Sequence, residues 1–85
     1  MIMFEDPGYQ FIDRKALYIF NNHIEEIKES LEVSDLSLIS VTLNDLSGIN
    51  YRFEGIANGK TFKVKIFEPL PYLNEPTKLV ECCFL

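Results

Sequence analysis

His23, Cys82 and Cys83 are the side chains of this 85-residue chain best suited to nucleophilic or metal chemistry. A thiol activated by a histidine is assembled in space rather than along the sequence, so a Cys-His pair depends on the fold. Nothing around the three residues supports one: there is no oxyanion-hole glycine turn and no phosphate-cradling loop. Structural zinc takes four ligands, whereas two cysteines and one histidine supply three, and adjacent strand residues point in opposite directions. No catalytic residue, metal or cofactor is therefore expected. A disulfide between neighbouring cysteines would distort the backbone and staple nothing. Two reduced thiols, one turned inward as a small hydrophobe, fit a reducing cytoplasm. His23 flanks the apolar stripe of a helix and is expected at its boundary, one edge of the ring packed and the other wet.

The carboxylates form a denser pattern. Glu25, Glu26, Glu29, Glu32 and Asp35 crowd around a single cation, Lys28. Read as the C-terminal half of one helix, they oppose its macrodipole, and Glu25 and Glu29 are like charges four residues apart. The plain reading is a solvated face that maintains solubility. The sharper one is a docking surface for a basic partner protein, centred on Glu25, Glu29 and Glu32. Tyr18 and Asn22 fall opposite the buried stripe, where an exposed tyrosine among polar residues has the composition of an interface anchor. Leu70, Tyr72 and Leu73 stand among prolines. They form either a stiffened loop that presents apolar side chains or a lid folded back on the core.

The elements that position these residues follow from periodicity. Asn58-Gly59 tolerates positive φ at both central positions of a type I′ turn and so predicts a two-residue hairpin. Counting outward, Ala57 faces Lys60, Gly55 faces Phe62, Phe53 faces Val64 and Tyr51 faces Ile66. Arg52, Glu54, Lys63 and Lys65 lie on the other side, where Glu54 opposite Lys63 softens the unfavourable Arg52–Lys65 pair. Residues 13–32 read as a single helix with Asp13 as N-cap and Phe20, Ile24, Ile27 and Leu31 at the centre of a stripe that also takes in Ala16 and Leu17. Strands are expected at 36–43, with Ile39, Val41 and Leu43 on one face, and at 77–84, with Val80, Cys82 and Phe84 on one face. Residues 44–48 have turn composition, and Tyr9 to Ile12 either adds an edge strand or packs beneath the helix. The sum is a single α+β domain spanning 1–85, in which one N-terminal helix packs on an antiparallel meander of about four strands. In outline this is similar to the architecture of cystatin-like domains, among others. No motif of that family stands in the sequence, and no residue role is carried over.

A formal charge of −5 is unevenly distributed. All five acids of the 25–35 cluster lie in the first half, while Arg52, Lys60, Lys63, Lys65 and Lys78 sit in the second. An acidic chain of this kind does not suit nucleic acid, which draws most of its affinity from cationic surface. No apolar run approaches the ~20 residues of a membrane span, and no basic leader opens the chain. The expectation is a small, cytoplasmic, non-catalytic binding protein that occupies a basic surface on a partner protein. Immunity proteins against nuclease toxins and phage-encoded inhibitors of bacterial defence share this size and charge as a physical type. The alternative is an assembly module that forms a homodimer or complex through a sheet edge, for which the last strand is the candidate. A weaker third reading is a small enzyme or ligand-binding protein with a pocket near His23.

Overall fold

A computed structural model describes residues 14–45 and 47–85. Two helices, α1 (Arg14–Asn22) and α2 (Ile24–Leu31), precede four strands, β1 (Ser37–Asp45), β2 (Gly48–Ala57), β3 (Lys60–Pro69) and β4 (Lys78–Phe84). A short 3-10 turn, Pro71–Leu73, separates the last two strands. The strands form an antiparallel meander in the order β1-β2-β3-β4, and the helices pack on one side of it. This is the expected α+β architecture. The predicted Asp13 N-cap, the Tyr9 to Ile12 segment and Leu46 of the β1–β2 turn lie outside the described residues.

Asn58 and Gly59 take φ values of 53° and 76°, the left-handed pair that the hairpin turn requires. The register is the one counted from that turn: Ala57↔Lys60, Gly55↔Phe62, Phe53↔Val64 and Tyr51↔Ile66 are paired. Apart from the exposed Lys60, their side chains make one continuous apolar face, and Tyr51, Phe53, Phe62, Val64 and Ile66 are all essentially inaccessible to water. Phe20 of α1 lies on that face, its ring centroid 4.9 Å from that of Phe53. Gly55 is required by close approach. A Cβ there would collide with the Ser37 carbonyl oxygen and come within 2.6 Å of the Phe62 ring.

Both outer strands depart from simple alternation. In β1 the register shifts between Leu38 and Ser40, so Leu38 packs against the core and Ile39 is left 42% exposed. In β4 the shift falls between Glu81 and Leu79, opposite Lys65 and Ile66. Val80 is the extra residue and is 56% exposed, while Leu79, Cys82 and Phe84 pack inward. The expected grouping of Val80 with Cys82 and Phe84 is thus corrected. A bulge inserts one residue and reverses the alternation beyond it. On the outer face, Glu54 lies opposite Lys63 as expected, and the Lys63 ammonium makes its ion pair with Glu81 of β4 at 3.4 Å.

The single expected helix is two. His23 takes a turn conformation with φ −111° and ψ 10°, its amide tightening onto the Phe20 carbonyl, and α2 restarts with Ile27 N–H donating to the His23 carbonyl. The buried stripe also differs: Ile19 is buried and Leu17 is exposed. Apolar residues flank Phe20 on both sides of the wheel, so the wheel does not choose between them. The contact with Phe53 does.

Replacing Gly55 with Ala is expected to lower the unfolding free energy by about 1–3 kcal/mol, because Ser37 and Phe62 must both move. A urea midpoint equal to that of the unsubstituted protein would contradict the packing described.

Candidate functional site

The break at His23 changes the electrostatics of the acidic segment. Glu25 and Glu26 occupy the first turn of α2, where negative charge is favoured by the helix dipole. The expectation that the whole cluster opposes the dipole is corrected for these two residues and survives for Glu29 and Glu32, at the other end.

Glu32 follows α2 in a left-handed conformation with φ 59° and ψ 48°. Its amide donates to the Glu29 carbonyl and that of Val33 donates to the Lys28 carbonyl at 3.0 Å, the paired bonds of a Schellman cap. Glycine is the residue best suited to this position, because an L side chain there crowds the following carbonyl. A glutamate occupies it.

Glu25, Glu29 and Glu32 line one shallow depression, together with Lys28, Val33 and Ser34. All three glutamates are exposed, and among the described residues none is held in an ion pair. The structure thus gathers three of the expected site residues. Tyr18, 67% exposed, and the exposed Asn22 lie on α1 beyond the break and do not line the depression. Leu70, Tyr72 and Leu73 belong to the β3–β4 connection and do not line it either. In that connection Leu70 is half-buried, the Leu73 amide donates to its carbonyl at 3.0 Å, and Tyr72 stands 79% exposed.

The side chain of Glu26 is engaged elsewhere. His23 Nδ1 lies 2.7 Å from Glu26 Oε1 and Nε2 lies 2.8 Å from Thr77 Oγ1. A carboxylate only accepts, so Nδ1 carries a proton, and Nε2 shares the second bond with the threonine hydroxyl. His23 is the boundary residue expected, but both of its nitrogens are used, and they tie the helix break to the start of β4. The pairing with Glu26 was visible as an i, i+3 spacing; Thr77, far along the chain, was not.

Neither cysteine joins the histidine. Cys82 Sγ donates to the Ile27 carbonyl of α2 at 3.9 Å. Burial pushes its thiol pKa up, opposed by a hydrogen bond from Ser30 and reinforced by neighbouring Cys83. Both cysteines are free thiols, as expected. Among the described residues no three metal-ligating side chains converge, and no helix is long and apolar enough to cross a membrane.

Sequence reasoning missed Glu68. Its carboxylate accepts from the buried Tyr51 hydroxyl at 2.8 Å and pairs with Lys15 at 3.2 Å, joining the start of α1 to the end of β3. The chain matches no protein-family model, and no curated protein matches it.

Two measurements check this geometry. Replacing Thr77 with Val is expected to cost about 1 kcal/mol of stability through the lost His23 bond. An unchanged denaturation midpoint would show the bond to be absent. Cys82 is expected to alkylate at least about tenfold more slowly than a free thiol under native, mildly alkaline conditions. Mass-spectrometric labelling at the free-thiol rate would overturn its buried placement.

Proposed function

We propose that the protein is a non-catalytic binding protein that sets the acidic end of α2 against a basic surface of another protein and so blocks it. One observation carries the reading. Three exposed, unpaired glutamates converge on one depression, and one of them occupies a left-handed helix cap where glycine would be more stable. Local energetics disfavour Glu29 and Glu32, through the helix dipole for both and through backbone strain for Glu32. A residue that stands against two local costs is accounted for by a contact outside the chain. Glu25 lacks this argument and joins the surface by proximity alone.

Complementary charge accelerates encounter and sets partner choice more than it sets final affinity. The partner expected is a protein whose functional surface is cationic, as a nucleic-acid-binding enzyme's is. Inhibition of the immunity-protein or anti-defence kind fits that chemistry. Tyr18 and Asn22 on α1, with Leu70, Tyr72 and Leu73, remain candidates for a wider footprint, Tyr18 and Tyr72 by their exposure. The cytoplasm is the proposed compartment, from the two free thiols.

Glu32→Gly is expected to stabilise the fold by about 0.5–1 kcal/mol, since glycine adopts the cap conformation without steric cost. The triple variant E25Q/E29Q/E32Q is expected to slow association several-fold and to flatten its salt dependence. Affinity capture from the native lysate at low salt, with the triple variant beside the unsubstituted protein, tests the surface. A stoichiometric basic protein retained by the unsubstituted chain and lost by the variant supports the reading; equal retention by both removes it.

A further inference from the structure

We infer that the helix-free face of the sheet carries an oxyanion site, in which Arg52 and Lys65 hold one phosphate group, free or at the end of a small molecule. The inference does not rest on the acidic-face reading and uses none of its residues.

The register lays polar side chains out in two rungs across the strands. One rung is Ser40, Glu54, Lys63 and Cys83, and the next is Thr42, Arg52, Lys65 and Glu81. Between them Val41, Phe53 and Val64 are buried on the helix side, so alternation turns both rungs to the opposite face. The hairpin also sets how closely each pair approaches. A two-residue turn closes on a mutually hydrogen-bonded pair, here Ala57↔Lys60, and bonded and non-bonded pairs alternate from there. In that phase the Thr61 carbonyl turns toward β4, and the Leu85 amide does donate to it, at 2.9 Å. Arg52↔Lys65 is therefore a non-bonded pair, the kind whose side chains stand closer, with Cβ atoms about 4.5–5.5 Å apart.

Like charges at that spacing repel, unless an acid intervenes. Glu81 belongs to the same rung, opposite Lys65. Its carboxylate instead pairs with Lys63 of the neighbouring rung, at 3.4 Å. Glu54 flanks Lys63 from the other side. Both acids thus stand beside one lysine. Among the described residues neither Arg52 nor Lys65 makes an ion pair, although Lys65 is half-buried. Two adjacent cations without a counter-charge are the feature that calls for an anion.

Arg52, Lys63 and Lys65 line one depression of about 220 Å³ with Glu54 and Glu81, three basic side chains against two acidic ones. Pockets that engulf a drug-sized ligand run from roughly 300 to 1,000 Å³, so this one suits a single ionic group. The Arg52 guanidinium is a planar fork that takes two oxygens of a phosphate at once, and the Lys65 ammonium adds a point charge. Thr42, exposed beside Arg52, offers its hydroxyl to a further oxygen. A phosphate monoester carries about −1.5 to −2 at neutral pH and so matches two unpaired cations. A carboxylate brings one charge and two oxygens, and leaves donors unused. A nucleic-acid backbone needs a longer cationic track than one rung, and Glu54 and Glu81 interrupt the surface next to it.

Titration of the full chain with inorganic phosphate, at pH 7.5 and fixed ionic strength, tests the inference by NMR of the backbone amides and the arginine Nε–H groups. Saturable one-to-one shifts centred on Arg52 and Lys65 are expected. Arg52→Gln and Lys65→Gln should each weaken binding at least about fivefold. Lys60→Gln, at the end of the hairpin, should leave it unchanged. In chloride alone the first two variants should have a higher urea midpoint than the unsubstituted protein, because the repulsion is gone. Phosphate should raise the midpoint of the unsubstituted protein and leave those of the two variants in place. The amide spectrum of each variant checks that it is folded. Phenyl phosphate binding more tightly than inorganic phosphate assigns the site to an esterified group, and the reverse order assigns it to the free ion. A response that never saturates overturns the inference. So do shifts that acetate reproduces at equal concentration, or an affinity unchanged in both variants.

Discussion

The left-handed pair Asn58-Gly59 sets the phase of the entire sheet, and the other features depend on that phase. Because side chains alternate with period two, a slip of one residue would bring Arg52, Glu54, Lys63 and Lys65 under the helices and expel Tyr51, Phe53, Phe62 and Val64. Burial of the aromatic side chains stabilises only one register, and the turn closes in that same register. From it follow the aromatic face that receives Phe20, the cationic rows on the opposite face, and the direction in which every edge amide points. A local backbone preference and a global burial requirement select the same pairing, which is the consistency expected of a sequence that folds to one state.

The helical layer answers to a different constraint. His23 interrupts what periodicity would make one helix, and its ring bridges Glu26 on α2 and Thr77 before β4. The interruption has an electrostatic consequence as well as a geometric one. It creates a second helix N-terminus, so two of the glutamates meet a favourable dipole end while the remaining pair meets an unfavourable one. Charge that looked like a uniform acidic face is therefore divided into a stabilising part and a costly part. The costly part, Glu29 with Glu32 in its left-handed cap, is the more informative about function, because solubility alone does not require charge at those two positions.

Much of the sheet was legible in the sequence. The Asn58-Gly59 turn, the alternation of Tyr51 to Ala57 against Lys60 to Ile66, and the amphipathic run from Ala16 to Leu31 determined the α+β class, the hairpin register and the larger part of the core. These are local signals, carried by residues within a few positions of one another. Tertiary structure alone decided the bulges at Ile39 and Val80, since an extra residue is accommodated only where neighbouring strands demand it. It alone chose Ile19 over Leu17, because the aromatic face of the sheet lies on one side of Phe20 and not the other. It alone joined His23 to Thr77 and Tyr51 to Glu68, pairs too far apart in the chain for spacing to carry information. Of the candidate site, the sequence determined which residues are acidic. Only the fold decided which of those acids converge, which are spent on internal contacts, and which stand in a conformation that disfavours them.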